Sequence, residues 1–361
     1  MIKDSVFAAL ELANARRAER RRFLKLAGAG TAAVGGLALL SACGGDDDDD
    51  TPSPTPSPTP TPSTSGVATD VGILQLALNL EYLEAQFYSI AAFGRRLPEA
   101  SLTGSIGTRG DVTGGRQVTF SDPVIASYAR EIAGDEIAHV NALRAVLTAA
   151  GSTLVIAQPA INIDGGATGA FTAAARVAGL VDKDTGVFDP YASDDNFLLA
   201  AFLFEDLGVT AYKGASPLIS SATYLEAAAG ILAAEAYHAG LIRTELFARG
   251  IPARAAANAI SNARDSYDGS PRPTDTDRKD LDQGITTNPD GSNDATVNGS
   301  GVANLVPTDT NGIAFSRSSA QVHNIAYLRR DAGIGGGFFP AGTNNSIEAL
   351  RTSGTFPLPT T

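Results

Sequence analysis

The 361-residue chain holds one cysteine, one methionine and no tryptophan. A lone Cys43 cannot close a disulfide within its own chain, so no covalent staple holds the fold. Basic side chains are scarce as well, 27 Lys and Arg against 39 Asp and Glu, for a net charge of -12. Residues 1–42 carry 7 of those bases and 3 of the acids, which leaves 20 bases against 36 acids in the rest of the chain. Such a surplus of acid excludes nucleic acid as a partner, because phosphate binding needs clustered Lys and Arg. Beyond residue 42 no segment offers about 18 consecutive residues free of charge and turn signals, which excludes a multi-span membrane protein. With Met1 the only methionine, the body beyond Cys43 also lacks Met, Trp and Cys together, and these are the side chains most easily oxidised. A body of that composition tolerates peroxide beside a redox metal.

The first segment present is a leader. Arg20-Arg21-Arg22-Phe23-Leu24-Lys25 precedes a weakly apolar run over residues 26–40, 15 residues with four glycines. That length suits a signal and is short for a bilayer-spanning helix. Leu40-Ser41-Ala42-Cys43 follows at once. The arrangement resembles a twin-arginine export signal ending in a lipoprotein box. The resemblance implies that residues 1–42 are removed, that Cys43 carries the lipid, and that the membrane is a partner through this anchor. It places the protein on the outer face of the cytoplasmic membrane or in the periplasm. Residues 43–66, with Asp46 to Asp50 and a Thr/Ser/Pro repeat, cannot bury apolar surface and read as a semi-rigid tether.

Four long helical stretches follow, over residues 71–93, 122–150, 193–215 and 221–249. Asp70, Asp122, Ser193 and Ser221 stand at their starts, Pro123 at a first helical position, and Gly94, Gly151 and Gly250 with Pro252 at their ends. The connection over residues 94–121 is Gly-rich, and Thr113-Gly114-Gly115-Arg116 between Val112 and Val118 predicts a small hairpin. A connection of some 42 residues with one short helix near 170–180 separates the second helix from the third, whereas residues 216–220 alone join the third to the fourth. The expected fold is therefore all-α, a four-helix bundle with one long crossover over residues 67–264. Residues 265–361 predict an irregular extension with a short helix over 318–330, wrapping the bundle or mediating association into a homo-oligomer.

A pattern repeats within the helices. The first holds Glu81 with Tyr88 seven residues on, and the third holds Glu205 with Tyr212 at the same spacing; the second holds Glu136 and His139, and the fourth Glu235 and His238. Residues i and i+3 share a helix face, so each Glu-x-x-His presents a carboxylate beside an imidazole. One Glu from each other helix completes four carboxylates and two imidazoles, a set that binds two metal ions. Hard oxygen donors with two nitrogens favour iron or manganese. Glu84, one turn beyond Glu81, competes with it as first-helix ligand; the matched Glu-x6-Tyr spacing favours Glu81 and leaves Glu84 in a supporting role. Tyr88 and Tyr212 are candidates to hydrogen-bond the ligating carboxylates or to pack in the core. Glu131, Asp135 and Glu245 read as solvated helix residues, and His323 as a surface or structural histidine.

On these helices and on Asp265-Ser266-Tyr267-Asp268-Gly269, Asp280-Leu281-Asp282-Gln283-Gly284 and Gly335-Gly336-Gly337-Phe338-Phe339-Pro340, the chain resembles bacterial ferritin-like domain proteins related to plant desiccation-related proteins. The resemblance implies a ferritin-like fold. It also implies either oxygen or peroxide chemistry at the metal pair in stress protection, or a desiccation scaffold whose metal is structural.

Overall fold

A computed structural model describes residues 64–269, 281–287 and 301–356. The twin-arginine motif, Cys43 and most of the tether lie outside the described residues. Seven helices are present among the described residues: α1 (Thr64–Phe93), α2 (Pro123–Ala150), α3 (Ala170–Val177), α4 (Asp194–Ala215), α5 (Ala222–Ala248), α6 (Ile251–Asp268) and α7 (Ser319–Ala326). The fold is all-α, and α1, α2, α4 and α5 make the expected bundle, α1 packing chiefly on α2 and α4 on α5. No described helix is long and apolar enough to cross a membrane.

The inner and outer helices differ in kind. Every residue of α1 from Asp70 to Ala92 is buried, and α4 is buried from Phe197 to Tyr212 apart from a half-buried Val209. Helices covered on all sides need no polar face, which is why both are apolar nearly all round. In α2, by contrast, Ile125, Ala129, Ile132, Glu136, Val140, Leu143 and Leu147 are buried at three- and four-residue spacing, and exposed residues lie between them. The bundle is thus layered. α2 and α5 form one outer side, α1 and α4 the middle, and the crossover and extension cover the other side. There Phe171 and Phe338 stack edge-on at 5.1 Å, Phe204 and Phe338 at 5.0 Å, and Asn344 receives and returns hydrogen bonds with Asn79.

Four expectations are corrected. The first helix starts at Thr64, inside the stretch expected to be tether, so Asp70 is not its N-cap. Asp70 instead reaches across to cap α5, accepting from the backbone amides of Ser220 and Ser221 at 2.8 and 2.9 Å and from the Ser220 hydroxyl. Val112–Thr113 (β1) makes no hairpin across Gly114-Gly115: it pairs in parallel with Ile161–Asn162 (β2) of the crossover, while Val118 donates its amide to the Ala91 carbonyl of α1. Pro252 starts a helix rather than stopping one. Lacking only an amide that a first turn leaves unpaired anyway, it sits at the start of α6. That helix runs unbroken past residue 264, where the sequence placed the end of the bundle. The expected tail helix is shorter than 318–330, spanning Ser319–Ala326, and carries a capping box between Ser318 and Gln321.

Buried ion pairs fasten the extension to α4. Asp206, next in sequence to Glu205, accepts from Arg243 at 2.6 Å and from Arg264 at 2.8 Å. Asp282 takes Arg264 and, at 2.9 Å, Arg317, which also pairs with Asp268 at 2.6 Å. All three arginines are essentially fully buried. At Gly214 the Arg317 carbonyl lies 2.0 Å from where a Cβ would stand, so the chain crosses α4 at a position where only glycine fits.

Candidate metal centre

The bundle has an internal two-fold pattern. Asp70, Glu81 and Tyr88 on α1 recur as Asp194, Glu205 and Tyr212 on α4 at identical spacings. Asp122, Glu136 and His139 of the second helix recur as Ser221, Glu235 and His238 of the fourth. The capping contacts obey the same relation. Asp194 holds the start of α2 through the amides of Ser121 and Asp122 at 3.0 and 2.8 Å, as Asp70 holds the start of α5. These two buried aspartates fix the axial register of the inner helices against the outer ones, so carboxylates eleven residues further on meet the Glu-x-x-His pairs at one level.

All six proposed ligands converge there. His139 Nδ1 lies 3.2 Å from Glu81, 3.5 Å from Glu136 Oε2 and 4.0 Å from Glu235. His238 Nδ1 lies 3.2 Å from Glu136 Oε1 and 3.4 Å from Glu205. The two oxygens of Glu136 therefore face different imidazoles, whose ring centroids are 6.3 Å apart. Donor atoms fall within 4.8 Å of one another in three sets: Glu81, Glu136, His139 and Glu235; Glu136, Glu205 and His238; Glu84, Glu205 and Glu235. Glu136, Glu205 and Glu235 each belong to two sets.

Glu84 thus stands nearer the centre than its expected supporting role, buried and grouped with two of the ligands. Tyr88 donates to Glu205, and Tyr212 donates to Glu81 at 2.5 Å, so each tyrosine holds a carboxylate on the opposite inner helix. Asp135 is not simply solvated. Its carboxylate lies 3.5 Å from His238 Nε2, on the far side of the ring from the cluster, where an acceptor fixes the tautomer that leaves Nδ1 facing inward. No local spacing signals this contact, because it joins two helices. His323 lies apart and fully buried, bonded to the Ser319 carbonyl and Thr343 at 2.7 and 3.0 Å; burial lowers its pKa to about 4, so it is a neutral structural histidine.

The cluster fits metal ions on the chemistry of its donors. Glu84 Oε2, both Glu136 oxygens, Glu205 Oε2, Glu235 Oε2 and His238 Nδ1 are buried without a hydrogen bond. Orphaned carboxylates at that depth cost several kcal/mol each, roughly, unless a cation meets them. Without one, the site must hold protons. Burial, opposed by His139 and reinforced by Glu136, raises Glu81 to about 7. Burial and the neighbouring carboxylates push Glu84 and Glu235 well above the ordinary range, and burial raises Glu205. Glu136 goes the other way, since His139 and His238 outweigh its burial. His139 rises to about 11 because Glu81 and Glu136 outweigh its burial, and His238 rises likewise beside Glu205, Asp135 and Glu136. Four raised carboxyls around one ionised one is the arrangement expected when a site built for cations is filled by protons.

Comparison with known proteins shows the family. The family model for the ferritin-like domain matches residues 69–248, from the start of the buried part of α1 to the end of α5. The chain is 31% identical over 263 residues to desiccation-related protein PCC13-62 of Craterostigma plantagineum, covering 69% of this chain and 75% of that one. It is 24% identical over 297 residues to the ferritin-like catalase Nec2 of Nesocodon mauritianus, covering 79% and 86%. No solved structure matches. With four bundle helices, paired Glu-x-x-His segments and a relative of this identity and coverage, the chain belongs to the ferritin-like superfamily.

Proposed function

We propose that the cluster holds two ions of iron or manganese and carries out oxygen or peroxide chemistry in stress protection. The observation that carries this reading is Glu136, whose two oxygens face two different imidazoles within one buried cluster that holds carboxylate oxygens without hydrogen bonds. Glu81, Glu136, His139 and Glu235 would hold one ion, and Glu136, Glu205 and His238 the other. When bound, a pair of such ions would supply the capacity for a two-electron step. The chain's own contribution is positional. Tyr88 and Tyr212 fix the outer oxygens of Glu205 and Glu81, the capping aspartates set the level of the inner helices, and the aromatic layer of Phe87, Phe197 and Phe204 excludes water from the inner side. His139 is 12% exposed, which leaves the α2–α5 side as the approach for a small molecule. The absence of Met and Trp from the described residues suits peroxide, and the name of the Nesocodon relative supports a catalase-like reaction.

A second reading rests on the Craterostigma relative, whose name points to desiccation: a scaffold in which the metal only stabilises the bundle. Peroxide consumption decides between them. The metal-loaded protein is expected to exceed free metal at equal concentration and to lose that excess in Glu205→Ala; equal rates for wild type and variant, with metal bound in the wild type, leave the scaffold reading.

The sequence of residues 20–43 supports a further part of the proposal, in which the protein is exported folded through the twin-arginine route and anchored by a lipid on Cys43. The intact mass of the exported protein tests it: cleavage before Cys43 with added acyl chains is expected, and cleavage elsewhere without lipid contradicts it.

A further inference from the structure

We infer that Glu84 is a seventh ligand, completing the donor set of the ion held by Glu136, Glu205 and His238, and that the two metal positions differ in kind because only this one draws a carboxylate from outside the repeat. The inference rests on the dinuclear reading and adds to it a residue outside the repeated pattern.

Four observations lead there. Glu84 is 4% exposed and its Oε2 makes no hydrogen bond, so the carboxylate has been brought into the interior for something other than a surface ion pair. The groups acting on it are Glu136, Glu205, Glu81 and His238, a neighbourhood in which the only cationic partner is itself a proposed ligand. The first donor set has four members and the second has three, and a carboxylate from Glu84, within 4.8 Å of donor oxygens on Glu205 and Glu235, makes up the difference.

The two-fold pattern supplies the fourth. Glu84 stands three residues after Glu81, and the residue three after Glu205 is Gly208. A Cβ at Gly208 would lie 2.2 Å from Glu235 Oε2 and 2.9 Å from its carboxyl carbon. One half of the repeat therefore adds a carboxylate where the other half removes even a methyl group, and the space left by Gly208 is filled by Glu235, whose carboxylate is grouped with Glu81 and His139 in one set and with Glu84 and Glu205 in another. Addition at Glu84 and removal at Gly208 are complementary. Together they give each ion four protein donors, where the repeated residues alone are grouped four in one set and three in the other.

The test is stepwise manganese(II) titration of the full chain, followed by calorimetry and by electron paramagnetic resonance. Wild type is expected to bind two ions with spin coupling between them. Glu84→Gln, which keeps the side chain's shape and removes its charge, is expected to weaken one step about tenfold or more while the other moves far less. Glu84→Asp is expected to fall between. Gly208→Ala, which displaces Glu235, is expected to disturb the coupling signal with Glu84 intact, and circular dichroism checks that each variant keeps its helices. Two ions bound by wild type and by Glu84→Gln with both affinities unchanged overturns the role of Glu84 and leaves the dinuclear reading standing. Fewer than two ions in wild type overturns both.

Discussion

Tyr212 donates its hydroxyl to Glu81 at 2.5 Å from the opposite inner helix, so one oxygen of this buried carboxylate is held in place by the chain itself. Tyr88 does the same for Glu205. Tyr212→Phe leaves a buried carboxylate oxygen without its donor, a cost of about 1–3 kcal/mol. Urea unfolding of the metal-free protein is expected to show a loss of that order, and metal titration a weakened first set. An unchanged midpoint and unchanged affinity would make the tyrosine a packing residue only.

Stability and pH are linked through the same cluster. A carboxyl whose folded pKa is raised favours the folded state below its unfolded value near 4.5 and loses that contribution as pH rises through the folded value, about 7 for Glu81. Glu84, Glu205 and Glu235 act with the same sign, and so do His139 and His238 above their unfolded value of 6.5. Glu136, with a lowered pKa, loses its contribution only under more acid conditions. The metal-free protein is therefore expected to melt at a lower temperature at pH 7.5 than at pH 5. Bound metal replaces those protons, so the gain in melting temperature from iron or manganese should be larger at pH 7.5. A metal-free melting temperature that climbs from pH 5 to 7.5 contradicts this assignment.

Asp135 acts on the metal only through His238. Asp135→Asn is expected to lower affinity at the second set by about tenfold, within the range for groups that orient a ligating imidazole, while helix content stays constant. The same substitution at Glu131, on the exposed side of α2, serves as the control and should leave affinity unchanged.

The extension is expected to matter for the site without touching it. Asp282→Ala leaves Arg264 and Arg317 buried and short of a partner carboxylate, which costs about 3–5 kcal/mol. Because Arg264 and Arg243 also hold Asp206 beside Glu205, denaturant unfolding should show the loss and metal affinity should fall with it. Full stability in Asp282→Ala would mean that the extension is only loosely attached.

The bundle and the convergence of Glu81, Glu136, His139, Glu205, Glu235 and His238 are legible in the sequence because their signals are local. Glu and His three apart on one helix, Glu and Tyr seven apart on another, and caps at helix starts all lie within a few turns of chain. What was not legible depends on contacts between distant segments. Asp70 looks like a cap for its own helix because the residues it actually caps, Ser220 and Ser221, lie on the far side of the sequence. Pro252 reads equally as a stop and as a first-turn residue, and the packing of α6 on α4 and α5 decides which. Glu84 looked peripheral because it breaks the repeat, and its place emerges only when Gly208 is seen to make room for Glu235. The acidic motifs of the extension show no role in their local spacing, because Asp268 and Asp282 act on arginines buried from distant segments.

The most direct test of the dinuclear centre is the metal content of the purified protein, measured by native mass spectrometry after expression with iron and manganese supplied. Two ions per chain in wild type, falling in His139→Ala and in His238→Ala, is the result this account predicts. A wild-type chain that carries no metal and is as stable as its metal-supplied counterpart would contradict it.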